Sequence, residues 1–280
     1  MLKDAVFIAL QKLLPQAQLS RIVGRLANAQ TPWFKNFLIK MAIKRFDIDL
    51  AQAERENIDA YSCFNDFFTR HLKAALRPVD TAVTTIVSPA DGKLTQCGKI
   101  TDEKLIQAKG KYFSLTTLLG EKTDGNYSDF ATIYLSPSDY HRVHMPIDGK
   151  LKRMRYIPGK LYSVNALTAE HIDELFAKNE RLICYFDTTI GEIAIIFVGA
   201  MLVAGIVTDW HGIITPNYLT KTQYWDYNKQ NHHYQKGQEI GYFNFGSTVI
   251  CLFPDHRVEI TAKPGDVMMG TAIGTLATHS

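Results

Sequence analysis

An α+β fold, with a helical amino-terminal segment ahead of a β-rich domain, is predicted by three features of this 280-residue chain. Apolar residues recur at helical spacing through the first 45 positions. From about Thr81 onward, short β-branched and aromatic runs alternate with turn signals such as Ala90-Asp91-Gly92, Asp124-Gly125, Pro158-Gly159 and Pro264-Gly265. Positive charge is an end feature: residues 1–45 hold eight cations against the single acid Asp4, a net +7, which leaves −4 for the rest of a chain whose total is +3. The expected division is 1–75 helical and 76–280 β-rich. At 46% hydrophobic residues, the chain can build one large core or two modest ones.

Leu2, Val6, Leu10, Leu13 and Leu14 give the first helical pattern, which Pro15 ends. Leu19, Ile22, Val23 and Leu26 repeat it beside Arg21 and Arg25. Thr31-Pro32 reads as an N-cap followed by proline at the first helical position, with Trp33, Phe34, Phe37, Leu38 and Met41 along one side. Such short basic amphipathic helices suit the headgroup boundary of an anionic bilayer, but the same faces would also pack on the protein's own core or on a partner subunit. Ser62 is expected to cap a helix presenting Phe64, Phe67, Phe68 and Leu72. Further helices are expected at Ser114–Leu119 and Ala169–Ala177, and a loop at Lys221–Gln235.

The run from Ile193 to Val207 is too short to cross a bilayer as a helix, and its glycines and β-branched residues predict two buried strands joined by a turn or bulge. No cleavable signal peptide is expected, because Asp4, Lys12 and Pro15 interrupt the first apolar stretch. Cys63, Cys97, Cys184 and Cys251 form no Cys-x-x-Cys pair and read as small apolar core residues in a reducing compartment. Nucleic-acid binding is not expected, since no aromatic-basic groove or DNA-reading motif accompanies the basic end.

The chemistry-bearing stretches are Ser88-Pro89-Ala90-Asp91-Gly92-Lys93, Tyr134 through Pro146 with His141 and His144, and Phe245-Gly246-Ser247-Thr248. A serine that follows a glycine in a tight bend has its hydroxyl within reach of the preceding carbonyl. Taken alone, Gly-Ser-Thr also occurs in ordinary turns, and Asp91 also reads as a turn residue. His141 and His144 have metal-ligand spacing on a helix, but Pro137 and Pro146 disfavour a helix through both, so no metal is assigned.

Together and in this order the three stretches resemble the proenzymes of the phosphatidylserine decarboxylase family. Asn165, Phe176, Asn179-Glu180-Arg181, Val198-Gly199-Ala200, Phe64-Asn65-Asp66-Phe67-Phe68 and Arg77-Pro78 extend the likeness. Phe245 departs from the leucine usual in bacterial members; being apolar and ahead of the reacting residues, it is expected to alter packing and not cleavage.

The resemblance implies a catalytic domain that cuts itself between Gly246 and Ser247, converting Ser247 into a pyruvoyl group, the only cofactor expected. It implies a base, His144, oriented by Asp91 and acting on Ser247, and a separate role for His141 near the bound substrate. The pyruvoyl carbonyl would then form a Schiff base with the serine amine of phosphatidylserine and take up the electrons released with carbon dioxide. The implied partners are phosphatidylserine, an anionic membrane surface, and the second of two self-cleaved chains in a heterodimer able to dimerise further. The implied location is the cytoplasmic side of the cell membrane, peripherally attached. A pyruvoyl-dependent decarboxylase of another amino-acid headgroup and a non-catalytic lipid-binding module are the alternative readings. A serine hydrolase is disfavoured because no Gly-x-Ser-x-Gly elbow surrounds Ser247.

Overall fold

The computed structural model describes residues 2–122, 127–201, 205–214, 220–244 and 246–277. The turn signal Asp124-Gly125 and the atypical Phe245 fall outside them.

Pro15 and the Asn28–Thr31 connection divide the amino-terminal segment into α1 (Leu2–Leu13), α2 (Gln16–Ala27) and α3 (Pro32–Phe46). Thr31 occupies the N-cap position of α3, but its side chain makes no capping bond. The short α4 (Phe64–Phe68) is capped by Cys63, whose sulfur accepts from the Asp66 amide, and not by Ser62. Ser62 instead donates through its amide and hydroxyl to the Asp66 carboxylate, and Leu72 lies beyond the helix, bridged to Ala53.

These helices have a core of their own. Ala27, Ile39, Ala42, Ile48, Tyr61, Phe64, Phe67 and Phe68 form one buried cluster. Much of the predicted amphipathic face remains outside it: Leu13, Ile22, Leu26, Trp33, Phe37 and Met41 are exposed. Buried glutamines tie α1 and α2 to the rest of the protein, Gln11 accepting from the Ser163 amide at 2.9 Å and Gln16 from the Leu161 amide at 2.8 Å.

The larger core is built on an antiparallel sheet. From Gln223–Asp226 its order runs through Gly149–Ile157, Arg181–Thr188, Gly191–Val198, Ser247–Pro254, Tyr127–Leu135 and Gly92–Lys99 to Gly265–Val267. The predicted pair of buried strands is present as Gly191–Val198 and Ile206–Thr208, buried nearly throughout, as their β-branched composition requires. A smaller sheet joins Gly212–Ile213, Ile206–Thr208, Glu239–Phe243 and Arg142–His144. A third joins Thr85–Val87, Ala272–Leu276 and Val258–Ile260. The helices α5 (Leu115–Leu119), α6 (Ala166–His171) and α7 (Leu175–Lys178) cover the predicted insertions, with Ser114 capping α5.

Lys221–Gln235 is not simply a loop. Gln223–Asp226 and His233–Tyr234 both pair with Gly149–Ile157 as edge strands. Cys63, Cys184 and Cys251 are buried as expected, whereas Cys97 is only partly so, and all four are free.

Candidate active site

Ser247 is not in a bend. It opens the central strand Ser247–Pro254, opposite Leu135 on one neighbouring strand, while Thr248 faces Val198 on the other. Its hydroxyl is fully buried and has no hydrogen-bond partner among the described residues. An unpaired buried hydroxyl costs about 1–3 kcal/mol, a cost that Ser247 shares with the buried Thr132, Thr208 and Thr248 hydroxyls. Gly246 does not lie in the left-handed region, and a Cβ there would meet nothing nearer than the Leu135 carbonyl oxygen at 3.7 Å. Neither backbone angle nor packing therefore demands glycine in the uncut chain; what it leaves open is the approach to its own carbonyl.

Asp91 sits at the start of strand Gly92–Lys99, where Gly92 takes φ +146° and any Cβ would run into the Tyr134 carbonyl oxygen. The Asp91 carboxylate accepts from Arg77 Nε at 2.8 and 2.9 Å and from the Met269 amide at 2.8 Å.

His144 ends strand Arg142–His144, and its amide donates to the Pro89 carbonyl at 2.8 Å, which brings it beside the Asp91 turn. Its side chain does not bond to Asp91. Nδ1 meets the Gly237 carbonyl at 2.8 Å, an acceptor only, so Nδ1 carries the proton. The Nε2 lone pair is left to accept from the Tyr140 hydroxyl at 3.2 Å. Gly237 can present that carbonyl because its φ is +79°, in a turn where a Cβ would strike Val79 at 2.5 Å. Burial lowers the His144 pKa, against the Gly237 bond and the carboxylates of Glu239 and Asp91, which raise it. The result is a neutral imidazole whose basic nitrogen is held by one long bond.

His141 is completely buried, with Nδ1 donating to the Asp139 carbonyl at 2.8 Å and Nε2 without a hydrogen-bond partner among the described residues. The Phe68 ring of α4 lies 4.2 Å from its ring, and burial pushes its pKa down to about 3. Among the described residues no group of three or more His, Cys, Asp or Glu side chains could hold a metal ion.

The structure thus collects Asp91 and His144 around the Pro89 carbonyl but leaves the Asp91 carboxylate on Arg77, His144 on Gly237 and Tyr140, and the Ser247 hydroxyl without a partner among the described residues. The Gly237 carbonyl was not foreseen, since a backbone oxygen has no side-chain signature.

A family model described as phosphatidylserine decarboxylase matches residues 64–275, which include Asp91, His141, His144 and Ser247, and one described as PSD matches residues 6–47. The chain belongs to the phosphatidylserine decarboxylase family. It is similar, at 59% identity over 92% of both chains, to the phosphatidylserine decarboxylase proenzyme of Francisella tularensis subsp. novicida (strain U112). Over the same shares it is 53% identical to the proenzyme of that name from Francisella philomiragia subsp. philomiragia. Membership makes the chain an enzyme, a decarboxylase of phospholipid synthesis made as a zymogen.

Proposed function

We propose that this chain decarboxylates phosphatidylserine to phosphatidylethanolamine with a pyruvoyl group that it makes from its own Ser247. The carrying observation is the buried Ser247 hydroxyl, without a hydrogen-bond partner among the described residues, directly after Gly246. A small group at the head of the central strand fits the space of that side chain, and the unpartnered His141 Nε2 offers a second buried polar atom for the reaction.

In the cleavage, His144 Nε2 exchanges its long Tyr140 contact for the Ser247 hydroxyl and accepts the proton as the oxygen attacks the Gly246 carbonyl carbon. The Gly246–Ser247 C–N bond breaks, and the leaving nitrogen takes that proton from His144. The Gly237 carbonyl holds the tautomer, and the Asp91 and Glu239 carboxylates favour the transient imidazolium. Asp91 thus acts through its charge, while Gly237 does the orienting. Loss of the Ser247 α-proton then breaks the Cβ–O ester bond and frees the Gly246 carboxylate, and addition of water to the tautomerised remainder releases ammonia.

A pyruvoyl group supplies an electron sink that lets an amine substrate lose its carboxylate as carbon dioxide. His141, neutral and buried, presents Nε2 as a proton-handling or orienting group at that stage. The two chains would stay together, because Ser247–Pro254 is hydrogen-bonded along both edges and Ala272–Leu276 pairs with Thr85–Val87.

Exposed Ile22, Leu26, Trp33, Phe37 and Met41, among the cations of residues 1–45, favour peripheral attachment to an anionic bilayer over burial of these faces in the protein's own core. No described helix is long and apolar enough to cross a membrane.

The test is an intact mass spectrum with a headgroup assay. The expected species are chains 1–246 and 247–280, the latter lighter by one ammonia, with Ser247→Ala uncut and inactive. A fully active, uncut preparation would overturn the proposal.

A further inference from the structure

We infer that a basic cavity between α2, the polar side of α4 and the strand Glu239–Phe243 binds the phosphodiester of the lipid substrate, with Arg25 and Arg142 as its principal cations. The assignment rests on the lipid-substrate reading above. The cavity has a volume of about 610 Å³ and includes Arg21 and Arg25 from α2, Asn28 at its C-cap, Asp66 from α4, Arg142 from the strand Arg142–His144, and Asn244 just after the strand Glu239–Phe243. The one acid among its described lining residues is already engaged: Asp66 accepts from Arg55 Nη1 at 3.1 Å and Nη2 at 2.5 Å and from the Ser62 amide at 2.8 Å. Asp66 is offset by Arg55 and Glu239 by Arg142, which leaves the charge of Arg25 uncompensated at the cavity, so its field favours an anion.

Two of these cations have capacity to spare. Arg142 donates through Nε to the Thr69 carbonyl and through Nη1 to Glu239, and it lies over the Tyr242 ring, so its plane is fixed while Nη2 has no hydrogen-bond partner among the described residues. Arg25 makes no hydrogen bond or ion pair among the described residues. A planar fork held in place is the donor geometry that matches two oxygens of a phosphodiester.

Position selects the lipid as the source of that anion. Arg142 is the residue after His141, Asn244 lies three residues before Ser247, and the Phe243 amide donates to the His141 carbonyl at 3.1 Å. The inner side of the cavity therefore shares its backbone with the candidate active site. Its outer side is α2, which exposes Ile22 and Leu26 one residue after each arginine. A phosphodiester here would lie between acyl chains on the apolar face and an amino-acid headgroup directed inward.

The decisive comparison uses the full chain in two forms. With self-cleaved enzyme and monomeric short-chain phosphatidylserine, which removes vesicle adsorption, Arg25→Gln should raise KM about tenfold or more, the effect of one lost charge-assisted bond. kcat and self-cleavage should be unchanged, and Lys229→Gln, the same charge loss at an exposed position elsewhere, should leave KM unaltered. With Ser247→Ala protein, titration of glycerophosphoserine should show binding that Arg25→Gln weakens by a similar factor, while free serine binds far more weakly. Equal affinity of glycerophosphoserine with and without Arg25 overturns the assignment. Inorganic phosphate binding as tightly as glycerophosphoserine makes the cavity a free-phosphate site and overturns it too. If glycerophosphoserine binds through Arg25 while the cleaved protein never decarboxylates phosphatidylserine, the functional proposal fails and the anion site stands.

Discussion

Arg77 holds the Asp91 carboxylate through Nε at 2.8 and 2.9 Å, and both side chains are largely buried. The partner of this carboxylate in the uncut chain is an arginine fourteen residues earlier, not His144. Asp91 in turn raises the Arg77 pKa, so the guanidinium stays charged. Breaking a buried pair by removing one member typically costs about 3–5 kcal/mol, because the survivor keeps an uncompensated charge. Arg77→Ala should therefore destabilise the uncut protein by roughly that amount in urea unfolding. The double variant Arg77→Met/Asp91→Leu should recover most of the stability yet remain uncut, because the charge that favours the His144 imidazolium is gone. Normal cleavage by the double variant would make Asp91 purely structural.

The two histidines should separate in one experiment. His144→Ala removes the base and should leave uncut chain, since a positioned base contributes about 10²- to 10⁴-fold. His141→Ala should still cut, because its unpartnered Nε2 is assigned to the step after substrate binds, but should turn over slowly. A gel for cleavage and a headgroup assay on the same samples read both effects. Cleavage lost with His141→Ala and retained with His144→Ala would reverse the roles.

On α3, Trp33, Phe37 and Met41 are 73%, 58% and 52% exposed, so changing them removes little from the protein's own packing. Trp33→Ser/Phe37→Ser should fold normally and bind anionic vesicles markedly more weakly. Binding by the unaltered protein should weaken with added salt, since attraction between exposed charges is screened within about 10 Å at 0.1 M. Loss of thermal stability matching the loss of binding would mean that this face is packed against protein instead.

How far the fold could be read from residues depended on how local its causes were. The helices of residues 2–46 and the buried strands Gly191–Val198 and Ile206–Thr208 follow from spacing and β-branched content, which act within a few residues. Gln223–Asp226 was missed because an edge strand alternates only weakly, with Tyr224 and Asp226 exposed, and exists by pairing with Gly149–Ile157 about seventy residues away. The cap of α4 was missed by one position because a cysteine sulfur did what serine usually does. At the site, Ser247, His144 and Asp91 stand out as residue types in motifs. Their partners do not, since the Gly237 carbonyl and the Met269 amide belong to the backbone and Arg77 is one arginine among many.

The acid stability of the uncut Ser247→Ala chain should reveal two opposing protons at one turn. His141, completely buried, has its pKa pushed down to about 3, so between pH 3 and its ordinary 6.5 the unfolded chain binds a proton that the folded one does not. That term lowers stability as pH falls through this window, by up to about 1.4 kcal/mol per pH unit. Asp139, whose carbonyl receives the His141 Nδ1 proton, has its carboxyl pKa raised to about 6, mainly by burial with the nearby charges of Asp91 and Asp266 adding to it. Here the folded chain holds the extra proton between pH 3.8 and 6, so this term raises stability as pH falls and opposes the first. Asp139→Asn keeps an oxygen to accept from the Ser136 amide and removes the carboxylate. It should be more stable than its parent at pH 7.5, by about 1–2 kcal/mol after allowing for partial exposure, and should lose stability more steeply between pH 6 and 4. Urea unfolding at pH 7.5, 6, 5 and 4 measures both differences. An Asp139→Asn protein less stable than its parent at pH 7.5, with a parallel pH profile, would show that Asp139 is held as a stabilising carboxylate and that the two protons do not oppose each other.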